Sequence, residues 1–429
     1  MEEEVKEGLF RNKPYLYLIA SQIVSNLGDW LDMLALMALV AFKWNASPME
    51  MSGVMLCIAV PMILFGPIAG VYADKFDRKK LMILSDIIRA IVVIGFVFAT
   101  SLWHIYVLLI LKGMFGALFV PAKNGKLKEI VSDDHMQQAM GISAMINNGS
   151  KIVGPMLSGV LVSSIGVTTA FYIDSFTFIL SALLLIGVPK SLYEKDETEQ
   201  HEGEKETMLQ RMNGGLNVLK GLPVLFYGLF ILSLAMLAIQ IADSQIMILL
   251  RLIEGDPVDV AGYAMAASGA GVFIMSAIWS KKQPPSLTFV LALGLSLVGV
   301  SIAITPFLIG LPMWVINLAF PTLFFMVGAG LGSIIVPFNV GVQKATPVQY
   351  SGRVFGTINS MTMLATIIGM LLGGVLSQLL GVTVTFIISG ALLLVVGLST
   401  FGVKKLLESR DPLAESDERI QGEAPSAAN

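Results

Sequence analysis

The chain has 429 residues, of which 55% are hydrophobic and only 14% charged. Soluble domains carry roughly 25% charged residues, so a soluble globular protein is excluded. The formal net charge of −3 says little, because its distribution matters more than its sum, and no nucleic-acid partner is expected. The single cysteine, Cys57, lies in an apolar run and excludes an intramolecular disulfide.

Apolar windows of about 20 residues, each long enough to cross a bilayer core, recur from end to end. The polar, acidic start MEEEVKEGLFRNK is unlike the basic leader of a signal peptide, so the first run is read as a retained helix. Taken in chain order, the predicted spans lie near 15–42, 48–72, 80–100, 103–121, 137–165 and 168–188. Six more follow near 223–250, 258–280, 287–308, 312–336, 353–380 and 383–403. The domain plan is thus a segment 1–14, a six-helix bundle 15–188, a linker 189–222, a second bundle 223–403 and a tail 404–429. The linker is acidic, and its stretch 208–219 reads as a short amphipathic piece lying on the membrane surface.

Polar residues inside the spans stand out in the same order. Span 1 carries Gln22, Asn26 and Asp29 at i, i+4 and i+7, with Ser25 and Asp32 on the adjoining edge. Span 2 ends in GVYADKFDRKK (70–80), a knot of Asp74, Lys75, Asp77, Arg78, Lys79 and Lys80 behind Gly66 and Gly70. Two glycines four apart share a helix face and permit close approach of another helix. Span 3 carries Asp86 and Arg89, span 4 Lys112, span 5 Asn147, Asn148 and Lys151, span 6 Asp174, and span 7 Gln240, Asp243 and Gln245. His104, at the far end of span 4, reads as an interfacial residue.

An even number of spans puts both termini, the knot and the linker on one side. That side holds 23 of the 28 basic residues, and only Lys43 and Arg251 fall on the other. The excess of Lys and Arg makes it the cytoplasmic side, so both termini are expected in the cytoplasm of a multi-pass cell-membrane protein.

The chain also repeats. GISAMINNGSKIVGPMLSGVLVSSIGVTTAF (141–171) and GTINSMTMLATIIGMLLGGVLSQLLGVTVTF (356–386) align without a gap at 11 of 31 positions. The matches include Gly141/Gly356, Gly154/Gly369, Gly159/Gly374 and Gly166/Gly381, and upstream VPAKNG (120–125) pairs with VPFNVG (336–341). Parallel repeats of this size predict two homologous six-helix bundles with a ligand site near mid-membrane.

The knot resembles the loop between helices 2 and 3 of the major facilitator superfamily, G-x-x-x-D-[RK]-x-G-[RK]-[RK], with Gly70, Asp74, Lys75, Arg78 and Lys79 matching and Asp77 replacing a glycine. The likeness extends to LKGMFGALFVPAKNG, to VGPMLSG and to FYIDSFTF, and is greatest to the branch of drug and macrolide efflux and enterobactin export. It implies an all-α polytopic membrane protein of twelve helices in two pseudo-symmetric six-helix bundles. Gly154, Pro155 and Gly159 resemble the helix-5 signature of antiporters, although Met370 replaces the proline in the second half. The loop then works as a latch: Gly70, Asp74 and Arg78 with Asp86, in which Asp86 ties Arg78 and Asp74 meets the N-terminal end of helix 11 near Arg353. The alternative is that its basic residues only set topology. The cognate loop IWSKKQPPS (278–286) has lost the pattern.

The resemblance places helices 1, 4, 7 and 10 around a central cavity, so Asp29, Lys112 and Asp243 can face it. Ionisable groups in a bilayer cost about 2.5–3.5 kcal/mol on insertion scales and usually line a cavity. Burial disfavours the charged form of a carboxyl group and a nearby ammonium favours it. An aspartate between these effects can take up and release a proton. Asp29, then Asp32 and Asp243, are the proton-coupling candidates, with Gln22, Asn26, Lys112, Asn147, Lys151 and Gln240 as polar cavity residues. Lys112 stands where the family commonly has an arginine. The competing reading is that Asp29 or Asp32 pairs permanently with Lys112 or Lys151 and only holds helices together. For Asp174 a structural role is expected.

Apart from the Asp86/Arg89 pair, four intramembrane aspartates face two lysines, which suits protons and cationic or neutral lipophilic compounds. The expected function is secondary active transport by alternating access: a proton-coupled antiporter exporting small lipophilic or cationic compounds. It would act as a monomer, with no cofactor, metal or enzymatic activity. A dedicated exporter of a natural product, such as a siderophore or peptide, is the alternative within transport, and a receptor without flux the alternative outside it. An intramembrane aspartyl protease fits badly, because its G-x-G-D segment here reads Asn26-Leu27-Gly28-Asp29. An ATP-driven pump would need G-x-x-x-x-G-K-[ST], which is missing.

Overall fold

The structure, a computed structural model, describes residues 9–190, 223–254, 257–282, 286–346 and 348–408. The expected amphipathic piece 208–219 and the tail beyond 408 lie outside the described residues. The described residues form twelve long helices and no strand. They are α1 (Lys13–Ala38), α2 (Pro48–Lys75), α3 (Arg78–Phe98), α4 (Leu102–Ile130), α5 (Asp133–Ile165) and α6 (Val167–Ile186), then α7 (Pro223–Asp243), α8 (Pro257–Lys281), α9 (Leu287–Ile304), α10 (Met313–Ala345), α11 (Val348–Leu380) and α12 (Val382–Glu408). A short helical turn, Ile246–Leu250, follows α7. Eleven of the described spans are long and apolar enough to cross a membrane. The exception is α5, whose apolar part is the shorter stretch Val153–Ile165. Its first half carries His135, Gln137, Gln138 and Asn147 and extends the helix well beyond the apolar stretch.

Local sequence sets several helix ends. The Asn12 side chain accepts from Tyr15 N at 3.1 Å and starts α1. Ser47 and Glu50 form a capping box at the head of α2, satisfying two orphan donors at once. Asp77 caps α3 by accepting from Lys79 N at 2.9 Å. One charge of the knot therefore serves to begin a helix.

The described residues group into two compact units. One comprises those within Met1–Glu199, Ser244–Ala270 and Ile309–Thr322, the other those within Gln200–Asp243, Gly271–Leu308 and Leu323–Asn429. In the first, α1 packs on α5 and α6, α3 on α4 and α6, and α2 on α4. In the second, α7 packs on α11 and α12, and α9 on α12. Adding six to each helix number turns α1–α5, α1–α6 and α3–α6 into the pairs of the second unit, as the sequence repeat requires.

The repeated glycines explain how the pairings recur. Gly154 of α5 packs on the Trp30 ring of α1, and Gly369 of α11 packs on Leu237 O and Gln240 Cβ of α7. Gly166 and Gly381 join α5 to α6 and α11 to α12, with φ of 81° and 86°. That backbone is nearly closed to other residues. Helices sharing a bilayer gain little from hydrophobic association, so close approach at small residues is what holds them together.

Candidate functional site

The first unit encloses a cluster of six ionisable side chains from four helices. Lys112 of α4 is at its centre: its Nζ lies 2.9 Å from Asp29 Oδ1 and 2.6 Å from Asp32 Oδ2, both on α1. Asp174 Oδ2 of α6 lies 3.9 Å from the same ammonium. Arg89 of α3 reaches Asp29 Oδ2 at 3.5 Å and pairs closely with Asp86 one turn earlier. Ser181 Oγ donates to the other Asp86 oxygen at 2.6 Å. Phe178 faces both cations, with its centroid 4.3 Å from the guanidinium and 5.4 Å from the ammonium. A ring face attracts such charges and replaces part of their hydration.

Exposure separates the members. The Asp29 side chain is 37% exposed, whereas those of Asp32 and Asp174 are 3% and 0% exposed. Asp29 borders a cavity of about 330 Å³ that also touches Asn26, Asp32, Arg89 and Lys112 on its polar side, and Trp30 and Met62 among its apolar walls. Both the volume and the mix of apolar walls with a few polar groups suit a small-molecule pocket. Four carboxyl groups share two cations. With every group ionised, two negative charges would lack a counter-ion, an expensive state in a dry interior.

A second polar chain continues from it along α1 and α5. Asn26 and Gln22 both donate to Asn147 Oδ1, at 3.1 and 2.8 Å. Ser143 Oγ donates to Gln22 Oε1 at 3.0 Å and accepts from the buried Lys123 Nζ at 2.9 Å. The stripe Gln22, Asn26, Asp29, expected from its spacing, is thus one connected surface. Lys123 and Ser143 were not foreseen. Neither stands out, since one falls at a predicted span end and the other is a lone serine.

Other expected residues separate from this cluster. Asp243 belongs to the second unit, where Gln240 Nε2 donates to its Oδ2 at 3.2 Å. The side chain of Lys151 lies outside the described residues. The second unit has its own cavity of about 540 Å³, lined by Asn339, Asn359 and Thr362 among apolar residues and by no ionisable group.

The expected tie between Arg78 and Asp86 is not made. Arg78 Nη1 instead meets Glu129 Oε1 of α4 at 2.8 Å and Gly125 O at 3.2 Å, and Nη2 meets Asp74 at 3.5 Å. Two helical turns, about 12 Å, separate Arg78 from Asp86 along α3, and the Asp86 carboxylate is already held by Arg89 and Ser181. Apart from its own stretch of helix, nothing among the described residues lies within 4 Å of a Cβ built at Gly66 or Gly70. Of the helix-5 residues, Gly154 meets Trp30, Pro155 sits inside α5, and Gly159 meets the backbone of Gly262 in the first turns of α8. A side chain at either of those last two glycines would collide with the other helix.

The sequence profile of the Major Facilitator Superfamily matches residues 18–368. The chain belongs to that superfamily. Among Major Facilitator Superfamily proteins it is 43% identical over 421 residues to the uncharacterized MFS-type transporter YfiS of Bacillus subtilis (strain 168), covering 97% of this chain and 100% of that one. It is 24% identical over 394 residues to macrolide efflux protein A of Streptococcus pyogenes, covering 88% and 93%. The fold is similar to that of the nucleoside transporter NupG, with a TM-score of 0.65 at 14% identity, over 92% of this chain and 99% of that one. The protein is therefore a multi-pass membrane transporter of the Major Facilitator Superfamily, and small molecules are its substrate class.

Proposed function

We propose that this transporter is a proton-coupled antiporter that exports small lipophilic or cationic compounds across the cell membrane. The observation that carries the reading is Asp29: a carboxyl group open to the cavity, yet bonded to Lys112 and Arg89 within a cluster that has more acids than bases. A proton arriving from the cavity at Asp29 weakens its hold on both cations, and a departing proton restores it. Binding of a cationic substrate near Asp29 competes with that proton, which is the coupling an exchanger needs. Export is supported by the likeness to macrolide efflux protein A and by the Gly154-Pro155 pair in α5. The bias of basic residues supports a cytoplasmic location for both termini, Asp74 and Arg78. There Asp74, exposed and held only loosely by Arg78, is free to serve a latch that engages when the transporter changes state.

A growth-inhibition panel in a host stripped of its own pumps tests this. Wild type is expected to protect against at least one lipophilic compound, while Asp29→Asn and Asp74→Asn fail to protect at equal expression. Protection undiminished by Asp29→Asn would remove the assignment. Protection against no compound at all would favour a dedicated natural-product exporter.

A further inference from the structure

The buried Asp174 has no part in the proposed exchange at Asp29, and its setting is unusual. Its side chain is fully buried, and Thr177 Oγ1 donates to its Oδ1 at 3.0 Å. Its Oδ2 has no hydrogen-bond partner although it is sealed from solvent. That unsatisfied oxygen is the one nearest Lys112, 3.9 Å from an ammonium now held by Asp29 and Asp32. Orphan buried acceptors are costly and call for an explanation. The ionisable groups around it are Asp29 and Asp32 from α1, Asp86 and Arg89 from α3, and Lys112 from α4. Arg89 is committed to Asp86 and Asp29. Lys112 is the cation within reach.

We propose that Asp174 is a positioning residue, the second seat of the Lys112 ammonium in the proton cycle. This rests on the proton-coupled reading of Asp29 and deepens it. In the arrangement seen, Lys112 binds the Asp29 and Asp32 carboxylates and Asp174 carries a proton. In the alternative, Lys112 moves about 1 Å to make a normal hydrogen bond to Asp174 Oδ2. Asp29 then takes a proton from cavity water, and the Asp174 proton passes to Asp32. Lys112 keeps its three protons throughout. The cluster gains one proton in the exchange and its net charge rises by one. The burial pattern suits this division, because only Asp29 is open to water and the internal transfer joins the two buried acids. A second seat lets Asp29 and Asp32 both become neutral, since Lys112 then keeps Asp174 as its counter-ion.

The test is proton uptake by the purified full-length protein in detergent, followed through the carboxylic-acid C=O stretch in the infrared as pH is lowered. Asp174→Asn retains the arrangement seen but removes the second seat. Its proton affinity should fall about tenfold or more, a one-unit acid displacement of the uptake curve. An uptake curve identical to wild type would show that Asp174 only braces α6, and the inference would fall. Asp29→Asn separates the two readings: it should abolish the uptake step. If it does so while Asp174→Asn changes nothing, only the second seat is lost; if it leaves uptake intact, the coupling role of Asp29 is lost as well. Should Asp174→Asn fail to fold, experimental structures of wild type at acid and alkaline pH decide. Lys112 within hydrogen-bond distance of Asp174 at acid pH supports the proposal, and an unchanged Lys112–Asp32 bond overturns it.

Discussion

Gly28 controls how closely α1 can approach α6 at the ion cluster. A Cβ there would lie 2.0 Å from Asp174 Oδ1 and 2.1 Å from Thr177 Oγ1. Neither atom can give way cheaply, because Thr177 is tied to Asp174 and Asp174 is walled in by α1, α3 and α4. Gly28→Ala should therefore push the helices apart at the level of Lys112. Overpacking of this kind typically costs about 1–3 kcal/mol. The expected outcome is a lower apparent melting temperature in detergent and loss of transport, with insertion into the membrane preserved. Unchanged melting and transport would show that α1 shifts freely. The sequence offered the Asp86/Arg89 pair and a bond from Asp29 or Asp32 to Lys112, and the structure makes all three contacts. The links of Arg89 to Asp29 and of Asp174 to Lys112 were not offered. Asp86, Arg89, Lys112 and Asp174 were each visible as charges in apolar runs, but the contacts of Arg89 with Asp29 and of Lys112 with Asp174 join helices remote in sequence.

At the scale of elements, the α5–α6 and α11–α12 joints are the same device used twice. Gly166 has φ 81° and ψ 160°, a region essentially restricted to glycine. Gly166→Ala should cost about 1–3 kcal/mol through backbone strain alone. Gly381→Ala is expected to cost a similar amount, because its φ is 86° and it occupies the matching position. Thermal unfolding of both single variants checks this, and a large loss at only one joint would mean that the repeat is not structural there. Of the four glycine pairs that revealed the repeat, Gly154 and Gly369 answer to helix packing, whereas Gly166/Gly381 was legible because backbone geometry constrains residue type locally. The reassignment of Arg78 from Asp86 to Glu129 was not, since α4 comes alongside α3 only after folding. For the same reason the close contact of Gly159 with Gly262 was not anticipated, whereas Gly159 itself had been singled out.

For the whole molecule, the proposed exchange at Asp29 predicts dependence on the proton gradient. In everted membrane vesicles, accumulation of a compound identified by the growth panel should collapse when nigericin dissipates the pH difference. It should also collapse in vesicles bearing Asp29→Asn, without any gradient being disturbed. Accumulation that survives nigericin together with valinomycin, which also removes the membrane potential, would exclude protons as the driving ion. The second unit has a cavity of about 540 Å³ without ionisable lining, whereas Asp29, Asp32, Arg89 and Lys112 all border the cavity of the first.

Length, apolar windows, the basic-residue bias and a glycine repeat are properties of the linear chain. The transporter reading came from the resemblance of the loop at 70–80 to a known family, but those properties sufficed for a polytopic helical membrane protein built as a six-helix unit used twice. They work because a bilayer demands long apolar helices and a left-handed joint demands glycine, wherever the rest of the chain lies. Which acid faces water, which lysine it holds and which oxygen is left unsatisfied depend on distances of a few ångström between helices remote in sequence. Only packing brought α1, α3, α4 and α6 together, and so only the folded molecule separated Asp29, open to the cavity, from Asp174, sealed beside Lys112.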